Sequence, residues 1–392
     1  MKQYLIESNN IKDEIIKNRR QLHSFAETGF NMPKTVEYVT KKLTEYGYSP
    51  KMCGKAGVTA TIGEGGRVLL LRADMDALPM KETTDLDFAS KNGNCHSCGH
   101  DCHTAMLLGA AKLLKQNQQL LKGTIKFMFQ PAEELLAGAA DMVEHGILEN
   151  PKVDAAFGMH IAIADTDSHC GTIHYNKGAA TYSGDAIKIN ILGKAAHGSA
   201  PYLGVDAINI AAQIISSLNT IVNKNVPMQE DALVLVGKIN GGTTVNTVAE
   251  NVEMEVSVRA KSQEVRELLK QRVKDISLQT AKLYDGSAEV IFVYGMPPLV
   301  NDAPLTETFK NICTDMLGEQ NMIEKTQASG TEDFCQIANR VPSAYFQLGA
   351  GSISQGYTYS AHHQAMIIDE NALPIGAAVY TGCALEYFNR IS

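Results

Sequence analysis

Four short runs carry side chains able to support metal-assisted hydrolysis. The densest is His96-Ser97-Cys98-Gly99-His100-Asp101, followed at once by Cys102 and His103. The intervening glycine lets the Cys98 and His100 side chains be aimed at one point. The others are Asp74-Met75-Asp76, the adjacent pair Glu133-Glu134 after Gln130-Pro131-Ala132, and His160 after Gly158-Met159. A set of thiolate, imidazole and carboxylate donors suits first-row divalent metals. A carboxylate that does not bind metal, placed beside one that does, is the natural general base for activating water. Each run also has a plainer reading. A lone histidine after a strand is commonly structural, glutamates at a helix start serve its dipole, and paired aspartates form turns. The Cys and His of the 95–103 run could instead form a closed structural zinc site. Such sites usually draw on two separated ligand pairs, however, and no second pair lies nearby. The Cys95–Cys98 spacing also lacks the βαβ setting of a redox motif.

These runs fall at strand ends and in loops. Residues 68–72 read as a short buried strand that runs out into Arg72–Pro79, and 124–130 as a strand stopped by Pro131. Residues 155–160 read as another strand, 105–116 as an Ala- and Leu-rich helix, and 133–144 as a helix beginning at the glutamates. Helix is also expected over 11–46, broken near 29–33. Near the carboxyl end, 342–347 reads as a strand and 371–388 as a helix. The crevice beyond the carboxyl ends of strands in an open α/β sheet is the usual ligand site, so the four runs converge there.

The middle of the chain has a different rhythm. Strand over 184–192, helix over 205–222, strands over 232–239 and 250–259, helix over 263–283 and strand over 289–293 give the order βαββαβ of a ferredoxin-like unit. Residues 1–182 and 296–392 alternate helix and strand as a layered α/β sheet requires. The expected fold class is therefore α/β in two domains: a catalytic domain formed by 1–182 and 296–392, interrupted by an inserted domain at 183–295.

The whole chain sets bounds on function. At 392 residues it exceeds the size at which one core usually stops growing. Net charge is −8 with 20% charged residues, which argues against a nucleic-acid surface. No run is apolar enough to span a bilayer, and residues 1–20 lack the apolar core of a secretory signal, so a cytoplasmic location is expected. Eight cysteines in such a chain read as thiols or ligands rather than a disulfide framework.

Taken together, the runs Arg72 to Pro79, His96 to Thr104, Gln130 to Glu134 and Gly158 to His160 resemble the aminoacylase and metallocarboxypeptidase superfamily. The branch is that of hippurate hydrolases, N-acyl-amino-acid amidohydrolases and auxin-conjugate hydrolases. Arg19 to His23, Ala196 to Ser199, Gly241 to Thr243 and Gly330 to Phe334 add to the likeness, which spans nearly the whole chain. The resemblance implies a di-metal, peptidase-type catalytic domain whose insertion is a lid that mediates homodimerisation. It implies two divalent ions per subunit, Zn or Mn with Co or Ni also admitted, bound by Cys98, His100, Glu134, His160 and His362. Cys98 would bridge the ions and Glu133 would be the general base, with Asp76 orienting a ligand histidine. His197 would stabilise the oxyanion, its plain alternative being a turn residue, and Asn246, Arg259, Gly330 and Thr331 would bind substrate. For Arg259 a salt-bridged strand end is the competing reading.

The likeness departs from its pattern at Ala361-His362-His363-Gln364, which lacks the family's proline and aromatic residue after the last ligand. His363 is therefore the fallback ligand. The expected reaction is hydrolysis of N-acyl amino acids, with a dipeptidase or carboxypeptidase on short peptides as runner-up. The non-enzyme alternative is a metal-binding scaffold, which has no use for Glu133 beside a ligand.

Overall fold

The computed structural model describes residues 1–325 and 330–390. Its strands, in chain order, are β1 (Lys51–Cys53), β2 (Gly57–Ile62), β3 (Val68–Asp74), β4 (Thr124–Gln130), β5 (Ala155–Ala162), β6 (Ile173–Tyr175), β7 (Gly184–Leu192), β8 (Ala196–His197), β9 (Ala232–Gly241), β10 (Thr247–Val248), β11 (Asn251–Ala260), β12 (Ser287–Met296), β13 (Met322–Glu324) and β14 (Ser343–Gly349). Two compact units divide them. The first combines the chain up to Ala180 with the segments from Val300 and from Asp333 onward, and the second is Thr181–Leu299 joined by residues 330–332.

The first unit is built on an eight-stranded mixed sheet of order β1-β2-β4-β3-β5-β14-β6-β13. Its centre, β4-β3-β5-β14, is parallel. Strands β3 and β4 are buried along their full length, which is why they read as unbroken apolar runs instead of alternating ones. Helix His100–Gln116 packs on β3 and β5 and against helices Lys12–Phe25 and Ala372–Arg390. The amino-terminal helical stretch is broken where expected, with Pro33 opening the next helix, Pro33–Glu45.

Two helices near the candidate site differ from their sequence reading. The helix expected over 105–116 starts at His100, because Gly99 caps it in the left-handed conformation at φ 88°. The helix expected from Glu133 starts at Gly138. Residues 131–137 form an irregular turn with Ala132 and Leu136 at positive φ, so the two glutamates do not serve a helix dipole. In the second unit, the helix expected over 205–222 is two pieces, Ala207–Leu218 and Ile221–Asn225.

The second unit is a four-stranded antiparallel sheet of order β12-β7-β11-β9, with helices Ala207–Leu218 and Gln263–Leu283 forming its core with Ile187, Ile189, Met254 and Val256. This is the ferredoxin-like βαββαβ arrangement. Small strands β8 and β10 pair beside it, setting His197 opposite Thr247. Among the described residues no helix is long and apolar enough to cross a membrane.

Candidate metal centre

Adjacent strands β4, β3 and β5 bring three of the four runs to one end of the sheet. Asp74 pairs with Gln130 at the shared end of β3 and β4, and Met75 N–H donates to the Gln130 carbonyl at 2.8 Å. Past that point the Asp76 carboxylate accepts the backbone N–H groups of Glu133 and Glu134 at 3.0 and 3.1 Å. It thereby shapes the irregular turn that carries both glutamates. The same carboxylate lies 3.4 Å from His100 Nδ1, so one aspartate faces the glutamate turn and the histidine together.

The donor atoms converge on this place. Cys98 Sγ is 3.3 Å from His160 Nε2. Glu134 Oε1 is 3.5 Å from His362 Nε2 and 3.9 Å from His100 Nε2. Cys98 groups with His100 and His160 on one side and with Glu134 and His362 on the other, so its sulfur belongs to both groups. Glu133 Oε2 is 3.9 Å from His100 Nε2. Among the described residues, both ring nitrogens of His100 and Glu134 Oε1 are buried without a hydrogen-bond partner, a costly state for polar atoms unless something else pairs with them. A soft thiolate, imidazoles and a carboxylate, two of them with orphaned buried atoms, fit a divalent transition-metal centre.

The electrostatics agree with that donor set. Burial pushes the Cys98 thiol up, but His160 and His100 outweigh it and hold the group at about 6, so it is largely thiolate near neutrality. Burial lowers His160, yet the Cys98 thiolate raises it to about 9. Cys98 and then Glu134, both close to its ring, raise His362 to about 10. Burial would raise the Asp74 carboxyl, whereas Arg72, His100 and His103 hold it well below its ordinary value.

Several neighbours stand outside the Cys98, Glu134 and His362 groups among the described residues. His96 is buried, belongs to no metal-capable group among the described residues, and is pushed down to about 3 by burial. Cys95 and Cys102 are buried outside every such group, which removes the closed local zinc site. His363 stacks on Tyr359, with centroids 4.2 Å apart, and its Nδ1 accepts the Ala365 N–H, so the donor set holds His362 and not its neighbour. Residue types alone did not reveal the buried support at the strand ends. Arg72 pairs with Asp74 at 2.7 Å and Asp333 at 3.3 Å, and Gln130 donates to Asp333. The available signal was a charged Arg and Asp inside the apolar run 68–74, since charges are rarely buried unpaired.

The remaining predicted site residues lie in the second unit and form two pairs. His197 and Asn246 are exposed on facing segments, where Gly198 N–H donates to the Asn246 carbonyl at 2.8 Å. Arg259 Nη1 donates to Thr331 Oγ1 at 2.9 Å, with Gly330 next to it. Among the described residues no carboxylate pairs with Arg259, in contrast to a salt-bridged strand end.

The model of peptidase family M20/M25/M40 matches residues 70–386. The chain belongs to that family. This M20-family chain is 38% identical over 367 residues to an N-acetyl-L-cysteine deacetylase of Bacillus subtilis, covering 93% of the chain and 85% of the relative. It is 33% identical over 389 residues to thermostable carboxypeptidase 1 of Saccharolobus solfataricus, covering 97% of each. Among solved structures, the YXEP protein of Bacillus subtilis, described as a dinuclear metal binding peptidase of the M20 family, superposes with a TM-score of 0.84 at 32% identity. That match covers 98% of this chain and 100% of the other. The M20 chain is a metal-dependent hydrolase of amide bonds.

Proposed function

We propose that the protein hydrolyses N-acyl amino acids, releasing the free amino acid. The observation that carries the reading is the Glu133-Glu134 turn hung from Asp76. It presents one carboxylate among the metal donors and a second next to it, facing the same His100. The 38% identity to a deacetylase of an N-acetyl amino acid supports the substrate class.

Cys98, His100, Glu134, His160 and His362 would hold two divalent ions, Zn or Mn by the donor set. Ions bound there supply Lewis acidity, acidifying water and polarising the scissile carbonyl. Glu133 takes the proton from the attacking water and returns it to the departing amine. Asp76 keeps the glutamate turn in place while this happens. His197 Nδ1 accepts from the Ser199 N–H at 3.2 Å and lies 2.7 Å from its hydroxyl. A neutral His197 therefore carries its proton on Nε2, the form a donor to an oxyanion needs. Arg259, steadied by Thr331, offers a guanidinium to the substrate carboxylate, with Asn246 and Gly330 as further contacts.

Similarity to a carboxypeptidase supports the second reading, cleavage of short peptides. Metal-replete protein assayed on N-acetyl and N-benzoyl amino acids beside dipeptides separates the two. Preference for N-acyl amino acids is expected, and a preference for dipeptides overturns it. Chelation should abolish turnover and Mn²⁺ or Zn²⁺ restore it, while Glu133→Gln keeps the metal and loses the rate.

Homodimerisation through the inserted unit is part of the proposal. It is supported by exposed Leu233 and Leu235 on edge strand β9 and exposed Phe292 and Val293 on edge strand β12. A monomer by light scattering would remove it. The cytoplasm is the proposed location, supported by the absence of a disulfide among the described cysteines.

A further inference from the structure

His103 stands in the same dense run as Cys98 and His100, yet it has no place among the donors. Its surroundings explain why. Strands β3 and β5 pair only as far as Arg72 and Gly158. On their outer sides, β3 stays paired with β4 to Asp74, and β5 stays paired with β14 to Ala162. The ladder between β3 and β5 therefore stops short of His160, and the last residues of β5 lose a partner on that side.

The His103 ring fills the gap. Its Nδ1 lies 2.5 Å from Asp74 Oδ1, and its Nε2 accepts the Ile161 N–H at 2.9 Å. Because Ile161 donates, Nε2 is bare and the proton sits on Nδ1, directed at Asp74. Both nitrogens are thus used inside the protein, although Asp74, His100 and His103 lie close enough together to suggest a metal group. The residue pinned in this way is the one that aims the ligand: His160 Nδ1 bonds the Ile161 carbonyl at 2.7 Å, turning Nε2 toward Cys98. The His103 ring also packs edge-on against His160 at 4.3 Å and lies 5.4 Å from the His100 ring. Thr104, the next residue, donates its hydroxyl to the Asp74 carbonyl at 2.8 Å, fastening the same helix turn to β3.

We infer that His103 is a positioning residue for the metal centre: it replaces the missing β3–β5 ladder, pins Ile161, and so sets His160 against Cys98. This rests on the metal-centre reading above, and the test keeps the two apart. Metal-free protein is titrated with Co²⁺, following the thiolate-to-cobalt absorption band, with Cys98→Ser as the control. Wild-type protein without a band that Cys98→Ser removes would overturn the centre itself. Given that band, His103→Asn retains a donor for Asp74 but cannot reach Ile161. It should bind Co²⁺ about 10–100-fold more weakly and shift the band, the range typical for groups that orient metal ligands. His103→Gln, long enough to return an acceptor to Ile161, should recover much of the affinity. Circular dichroism and thermal melts of the metal-free variants identify a purely structural loss, which would lower the melting temperature without altering the band. Wild-type affinity and band in folded His103→Asn overturn the inference. If that variant does not fold, His103→Gln decides: near-wild-type affinity with an unaltered band supports pinning, and Co²⁺ affinity as weak as that of Cys98→Ser overturns it.

Discussion

The backbone N–H of His362 donates to the Ser97 carbonyl at 2.7 Å. That bond ties the last donor loop to the residue before Cys98, and His362 accepts a φ of 66° to make it. A non-glycine residue takes that conformation only when its surroundings demand it. His363, turned onto Tyr359, has no share in the donor set. His362→Ala should therefore cut kcat/KM on the order of 100-fold and lower metal content, with His363→Ala staying within about threefold of wild type. Parallel assays and metal analysis check this, and a larger loss from His363→Ala would reverse the assignment.

Asp76 accepts two backbone N–H groups with its two oxygens. Asp76→Asn replaces one acceptor by a donor and faces it with an N–H. Turnover should fall about 10–100-fold while KM changes little, because the glutamate turn shifts rather than the substrate contacts. Steady-state kinetics read the split; a pure KM effect would contradict it.

Gly99 has φ 88°, and a Cβ there would collide with the Ile161 side chain. Gly99→Ala should cost about 1–3 kcal/mol of stability from backbone strain and overpacking together. It should also weaken metal binding, since Cys98 and His100 flank the residue. Denaturant titration and metal competition test both effects, and an unchanged midpoint would show that the loop relaxes freely.

Lys126 is buried, and its ammonium donates to the carbonyls of Ile147, Glu149 and Pro151 at 2.9, 2.6 and 3.1 Å. Lys126→Met would leave those acceptors unpaired and lower stability by about 1–3 kcal/mol. The site is not involved, so kcat/KM at 25 °C should stay within about twofold of wild type. Thermal melts alongside kinetics check the separation.

Burial would raise Glu14, but Lys112, Tyr46 and Lys42 outweigh it and hold the carboxyl at about 2. A depressed folded value stabilises the protein above the ordinary carboxylate range, and that contribution is lost as pH falls toward 2. With partial exposure it is worth about 1 kcal/mol. Glu14→Gln should be less stable than wild type at pH 7, and the difference should shrink at pH 3. A gap undiminished at pH 3 would contradict the ionic origin.

Residue types and their order determined a good deal. The buried strands at 68–72 and 124–130 and the βαββαβ order of the insertion are legible from local pattern, and family likeness singled out Cys98, His100, Glu134, His160 and His362, which the structure brings into shared donor groups. Local pattern works there because burial on both faces, or alternation on one, leaves its mark within a few residues. The tertiary structure alone decided the rest. That Glu133 and Glu134 sit in a turn depends on Asp76, more than fifty residues away, so helix propensity over 133–144 was a poor guide. The choice of His362 over His363 depends on a bond to Ser97 and a stack on Tyr359. His103 bonds Asp74 and Ile161 through its two ring nitrogens beside the point where the β3–β5 ladder ends, whereas neither His100 nitrogen is bonded among the described residues. Hydrogen bonds between distant segments give identical side chains different partners, and a local pattern holds no record of them.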